Sequence, residues 1–121
     1  MIKELPEGKG SVLGFEVTGK VSLKEELEWI AKIEKVIEEQ GRIRTLVVLG
    51  DEAGWGIKAG MEDLRWLMTH IKQIEKIAIV SDRKIWKWLV ALDSPFAKIA
   101  GIKEKHFQPG RIEEAWKWVR E

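Results

Sequence analysis

Thr45-Leu46-Val47-Val48-Leu49 is an uncharged run rich in β-branched residues that stops abruptly at Gly50. A short apolar run bounded by turn residues reads as a strand buried on both faces, here from about Arg44 to Leu49. Such a strand needs a covering layer on each side, so the rest of the chain must supply helices around a mostly parallel sheet. The segment that follows, Asp51-Glu52-Ala53-Gly54-Trp55-Gly56, carries an acidic pair and a tryptophan between glycines. In open α/β sheets the loops at the carboxyl ends of the strands are where ligands and partners dock.

The flanking sequence agrees with that layering. Ile2 to Leu5 reads as a short extended segment, and Pro6-Glu7-Gly8-Lys9-Gly10 supplies a turn after it. Leu13, Phe15 and Val17 alternate with Gly14, Glu16 and Thr18, as in a strand with one face on a core, so the chain opens on a hairpin. Ser22-Leu23-Lys24-Glu25 has the spacing of a capping box and starts a helix from about Leu23 to Gln40, with Gly41 at its end. Leu23, Leu27, Ile30 and Ile37 form its expected core stripe, while Trp29, Ile33 and Val36 widen the apolar arc. Met61, Leu64, Met68 and Ile71 mark a second helix, and Lys76–Val80 a second buried strand. Ser81-Asp82 can cap a third helix carrying Ile85, Trp86, Leu89 and Val90, and Ser94-Pro95 starts a short helical turn ending at Gly101. Ile102 to Phe107 is a charged strand suited to a sheet edge, and Ile112, Ala115, Trp116 and Val119 define a terminal amphipathic helix. The predicted order is β-β-α-β-α-β-α-β-α: an α/β chain, residues 1–121 as a single domain, with a mixed, mostly parallel sheet.

Composition narrows the function classes. Lys+Arg 21 against Asp+Glu 20 gives a formal charge of +1 with interleaved signs, unlike the basic stripe of a nucleic-acid binder. The absence of cysteine removes disulfides and thiolate metal sites, and the N-terminal residues lack the apolar segment of a signal peptide. No run reaches the roughly 18 apolar residues of a transmembrane helix, so the expected compartment is the cytoplasm. A charged fraction of 34% is compatible with a thermophilic source. Seven tryptophans and no tyrosine are the unusual feature, because an indole buries a large surface yet needs a partner for its N–H.

Four stretches together resemble the SpoIIAA-like family, small bacterial and archaeal proteins with a fold related to STAS domains. They are Val17-Thr18-Gly19-Lys20-Val21-Ser22, then Gly54-Trp55, then Ile77-Ala78-Ile79-Val80-Ser81-Asp82 with Trp86 and Trp88. The last runs from His106-Phe107 through Glu113-Glu114-Ala115-Trp116-Lys117-Trp118-Val119. The resemblance implies the SpoIIAA/STAS-like fold and a binding or regulatory role. In the sporulation anti-sigma antagonists an Asp-Ser-Ser-Gly segment after the central strand holds a serine phosphorylated by a partner kinase. The corresponding stretch here is Asp51-Glu52-Ala53-Gly54, where both serines are missing. Ala53 has no hydroxyl to phosphorylate, and Glu52 is a poor substitute for a phosphate carrying about −2 charge.

The residues themselves offer no complete catalytic set. Asp51 and Glu52 are adjacent carboxylates, of use to an acid–base enzyme or simply solvated. Gly50, Gly54 and Gly56 lack the Lys-Ser/Thr of a phosphate-binding loop and the spacing of a dinucleotide fold. His70 and His106 have no paired ligand motif, so no metal or cofactor is expected. Ser81 and Asp82, at a helix start, can cap or bind an anion. Trp55 and Trp86 can line a cleft at the carboxyl edge for a partner side chain or a small apolar ligand, or pack inward. Trp29, Ile33 and Val36 are candidates for a homodimer surface, or for burial within one subunit. The leading expectation is a non-enzymatic binding module using Asp51, Glu52, Trp55, Ser81, Asp82 and Trp86. The alternatives are a small enzyme using Asp51 or Glu52 with Asp82, and a purely structural homo-oligomer.

Overall fold

Strand alternation dictates two separate cores in this molecule, one on each side of a five-stranded sheet. The computed structural model describes residues 1–50, 53–55, 66, 69–82 and 103–121. The strands are β1 (Ile2–Glu4), β2 (Val12–Val17), β4 (Ile43–Leu49), β6 (Ile74–Val80) and β7 (Lys103–Phe107), in the spatial order β1-β2-β4-β6-β7. β1 runs antiparallel to β2, with Ile2 opposite Val17, while the other neighbours are parallel. The sheet is therefore mixed and mostly parallel, with the expected central strand in the middle of the order and the charged strand at an edge.

Helix α1 (Leu23–Gln40) covers one face. Its start satisfies two otherwise orphaned amides reciprocally: the Glu25 N–H donates to Ser22 Oγ at 3.2 Å, and the Ser22 N–H donates to Glu25 Oε1 at 3.4 Å. It ends where Gly41 adopts φ 77°, a left-handed conformation that a Cβ would strain. Trp29, Ile33 and Ile37 pack with Phe15, Val17, Ile43, Leu49 and Ile79. The terminal helix α2 (Ile112–Arg120) covers the opposite face, burying Ala115, Trp116 and Val119 against Leu46, Ala78, Val80 and Phe107. Gly14 is what lets α2 come close, because a Cβ there would lie 2.3 Å from Cη2 of Trp116.

The far end of α2 is fastened by two central strands. The last carbonyls of a helix lack intrahelical partners, and here Lys76 Nζ donates to the Trp118 carbonyl at 2.9 Å while Arg44 donates to that of Val119 at 3.2 Å. Glu75 accepts from Arg44 Nε at 3.0 Å, and the Lys76 ammonium lies 4.9 Å from the Trp118 ring centre. These contacts account for a lysine as buried as Lys76.

Two expectations need correction. Leu27 is 48% exposed, because it lies roughly 120° round the helix from Ile33, at about 100° per residue. Trp29 and Ile33 are 6% and 7% exposed within the chain's own core, and Val36 packs against it. The Trp29, Ile33 and Val36 face thus covers the sheet and forms no exposed dimer patch. Sequence reading also missed a second, two-stranded sheet in which β3 (Lys20–Val21) pairs in parallel with β5 (Gly54–Trp55). Two-residue strands are too short to show a period. Trp66 and His70 lie in helical backbone where the second helix was expected. A 3₁₀ turn (Ile71–Gln73) then leads into β6, which starts at Ile74, two residues before the predicted start. The third helix and the Ser94–Gly101 turn fall outside the described residues.

Candidate functional site

Parallel pairing brings the exits of β2, β4, β6 and β7 to one end of the sheet. Val17 pairs with Leu49, Val48 with Val80, and Val80 with Phe107. At the β4 exit, the Gly50 N–H donates to the Val17 carbonyl at 2.8 Å, and the Ala53 N–H donates to that of Gly50 at 3.2 Å. Ala53 is half-buried and packs against the α1-side core, then Gly54–Trp55 pairs with Lys20–Val21 beyond the main sheet. The tryptophan backbone is therefore carried at the carboxyl edge, as expected. Asp51, Glu52 and Trp86, and the side chain of Trp55, lie outside the described residues.

The β6 exit differs from the sequence reading. Of the two roles expected for Ser81, direct ligand contact is excluded because it has no accessible surface, while the helix it would cap lies outside the described residues. Its amide donates to the Phe107 carbonyl at 3.1 Å, its hydroxyl lies 2.9 Å from His106 Nε2, and its carbonyl lies 3.0 Å from the same nitrogen. A carbonyl oxygen only accepts, so this contact assigns a proton to Nε2. That nitrogen then has no lone pair with which to activate the Ser81 hydroxyl, and the pair acts as a clasp between strand ends. Burial pushes the His106 imidazole below the ordinary histidine value, with the Ser81 backbone bond opposing that effect. Asp82, next in the chain, is exposed.

Beside the clasp lies a groove of about 340 Å³ lined by Lys105, His106, Phe107, Gln108, Arg111 and Glu114. Lys105 Nζ sits 5.3 Å from the Phe107 ring centre, and Arg111 approaches Glu114 to 3.5 Å. Adjacent strands lie about 4.8 Å apart, so this groove and the β4 exit are separated by only two strand spacings, roughly 10 Å. In the sequence His106 stands without a paired ligand motif, and nothing in its spacing reveals its partner.

Two polar groups on α1 were also missed. Glu26 is 2% exposed, and its position four residues before Ile30 and seven before Ile33 marks it as part of the inward stripe. Trp29 Nε1 is buried and finds no acceptor among the described residues, although its ring packs on Phe15 at 4.4 Å. His70 stacks on Trp66 at 4.3 Å, and Trp66 Nε1 donates to Glu34 at 2.9 Å, which ties this segment to α1. Among the described residues no group of three or more metal-ligating side chains forms, and no helix is long and apolar enough to cross a membrane.

A mixed, mostly parallel sheet with helices on both faces and the exits of its parallel strands at one end defines an α/β protein of the SpoIIAA-like fold. The SpoIIAA-like family model matches residues 12–120, and the chain belongs to that family. The fold is similar to the crystal structure of an uncharacterised DUF3478-family protein with a SpoIIAA-like fold from Shewanella loihica PV-4. That match has a TM-score of 0.72 at 20% identity, covering 98% of this chain and 93% of the other. No functionally curated protein matches the sequence.

Proposed function

We propose that this chain is a non-enzymatic binding module that engages a partner protein across the carboxyl edge of its sheet. The observation that carries the reading is the groove beside His106, lined mainly by the charged and polar side chains of Lys105, Gln108, Arg111 and Glu114, with the core residue Phe107 behind them. Polar and charged side chains of this kind form the rim of protein interfaces. A site for a small apolar ligand is instead lined mainly by apolar groups, so the groove favours a partner protein over such a ligand. Trp55, whose backbone pairs with Val21 at the same carboxyl edge, is the aromatic this reading adds as a further contact. A phospho-switch at Ala53 is chemically excluded, because alanine has no hydroxyl.

The acid–base enzyme reading has less support. Its remaining described member, Asp82, is exposed, and the Ser81 carbonyl accepts from the Nε2 N–H of His106, so that nitrogen does not serve as a base for the Ser81 hydroxyl. The test is gentle affinity purification from the native host of wild-type protein, Trp55→Ala and Arg111→Glu, with intact-complex mass spectrometry. Wild type should retain a protein at fixed stoichiometry, and both variants should lose it while keeping the wild-type melting temperature. A bare wild-type chain, or a partner retained equally by both variants, would overturn the proposal.

A further inference from the structure

We draw no further inference here: the strongest candidate, the groove along β7 between Lys105 and Arg111, belongs to the site already described, and with Glu114 among its lining residues nothing in the structure shows what covers it.

Discussion

Gly14 and Trp116 form a lock whose two halves lie in β2 and α2. Adding one methyl at Gly14 forces the indole to move, since Cη2 and Cζ2 would lie 2.3 Å and 2.7 Å from the new carbon. Overpacking of this kind costs about 1–3 kcal/mol, so Gly14→Ala should lower stability by that amount in urea unfolding. Gly14→Ala combined with Trp116→Phe should cost less than the sum of the two single changes, because the smaller ring vacates the contested space. His106 sets a second expectation at this scale. Its folded-state proton affinity is depressed by burial, so its neutral form stabilises the fold above pH 6.5, the unfolded reference. That contribution is lost as pH falls below 6.5 towards the lowered folded-state value. His106→Gln keeps an N–H donor without a titrating ring, so the stability advantage of wild type over the variant should shrink as pH falls through that window. Parallel pH–stability curves would sink the assignment.

At the scale of elements, the helix ends carry the clearest physics. Lys76 and Arg44 reach the final carbonyls of α2 from adjacent strands, so α2 is held by strand residues distant in sequence. Lys76→Met keeps the apolar stem but orphans the Trp118 carbonyl, at a cost of about 1–3 kcal/mol. Hydrogen exchange should accelerate at residues 117–120 before it does so in β4 or β6. The start of α1 was legible in sequence because Ser22 and Glu25 act locally, and Gly41 equally announced its end. The sites of β2, β4 and β6 are legible through period or apolar runs, and that of β7 through its charged, edge-like character. The contacts made by Lys76, Arg44 and His106 were not, since each joins residues between 25 and 75 positions apart. Leu27 misled because apolar character was read without weighing the whole arc, in which Glu26, not Leu27, faces inward.

At the scale of the whole molecule, α1 and α2 pack on opposite faces of the sheet as separate layers. Trp29 and Ile33 belong to the α1 layer, so charge placed there strikes the fold before it could strike any assembly. Ile33→Asp should destabilise by about 4 kcal/mol through an unpaired buried carboxylate. Circular dichroism and size-exclusion chromatography should show a loosened or unfolded chain; a folded chain of smaller oligomeric size would restore the dimer-surface reading. The candidate site was legible only as a location. The strand order and the Gly50–Gly56 punctuation pointed to the carboxyl edge, but the groove and the Ser81–His106 clasp depend on strand neighbours that a linear pattern does not contain.

The attachment of α2 also has a consequence during synthesis. Every strand of the main sheet precedes α2 in the chain, yet Leu46, Ala78, Val80 and Phe107 depend on it for cover. Until that segment emerges, a nascent chain can assemble its α1 layer while Leu46, Ala78, Val80 and Phe107 lack the cover of Ala115, Trp116 and Val119 and are prone to aggregate. A premature stop before Ile112 would make that sticky state permanent, so truncated products should collect in the insoluble fraction or on chaperones.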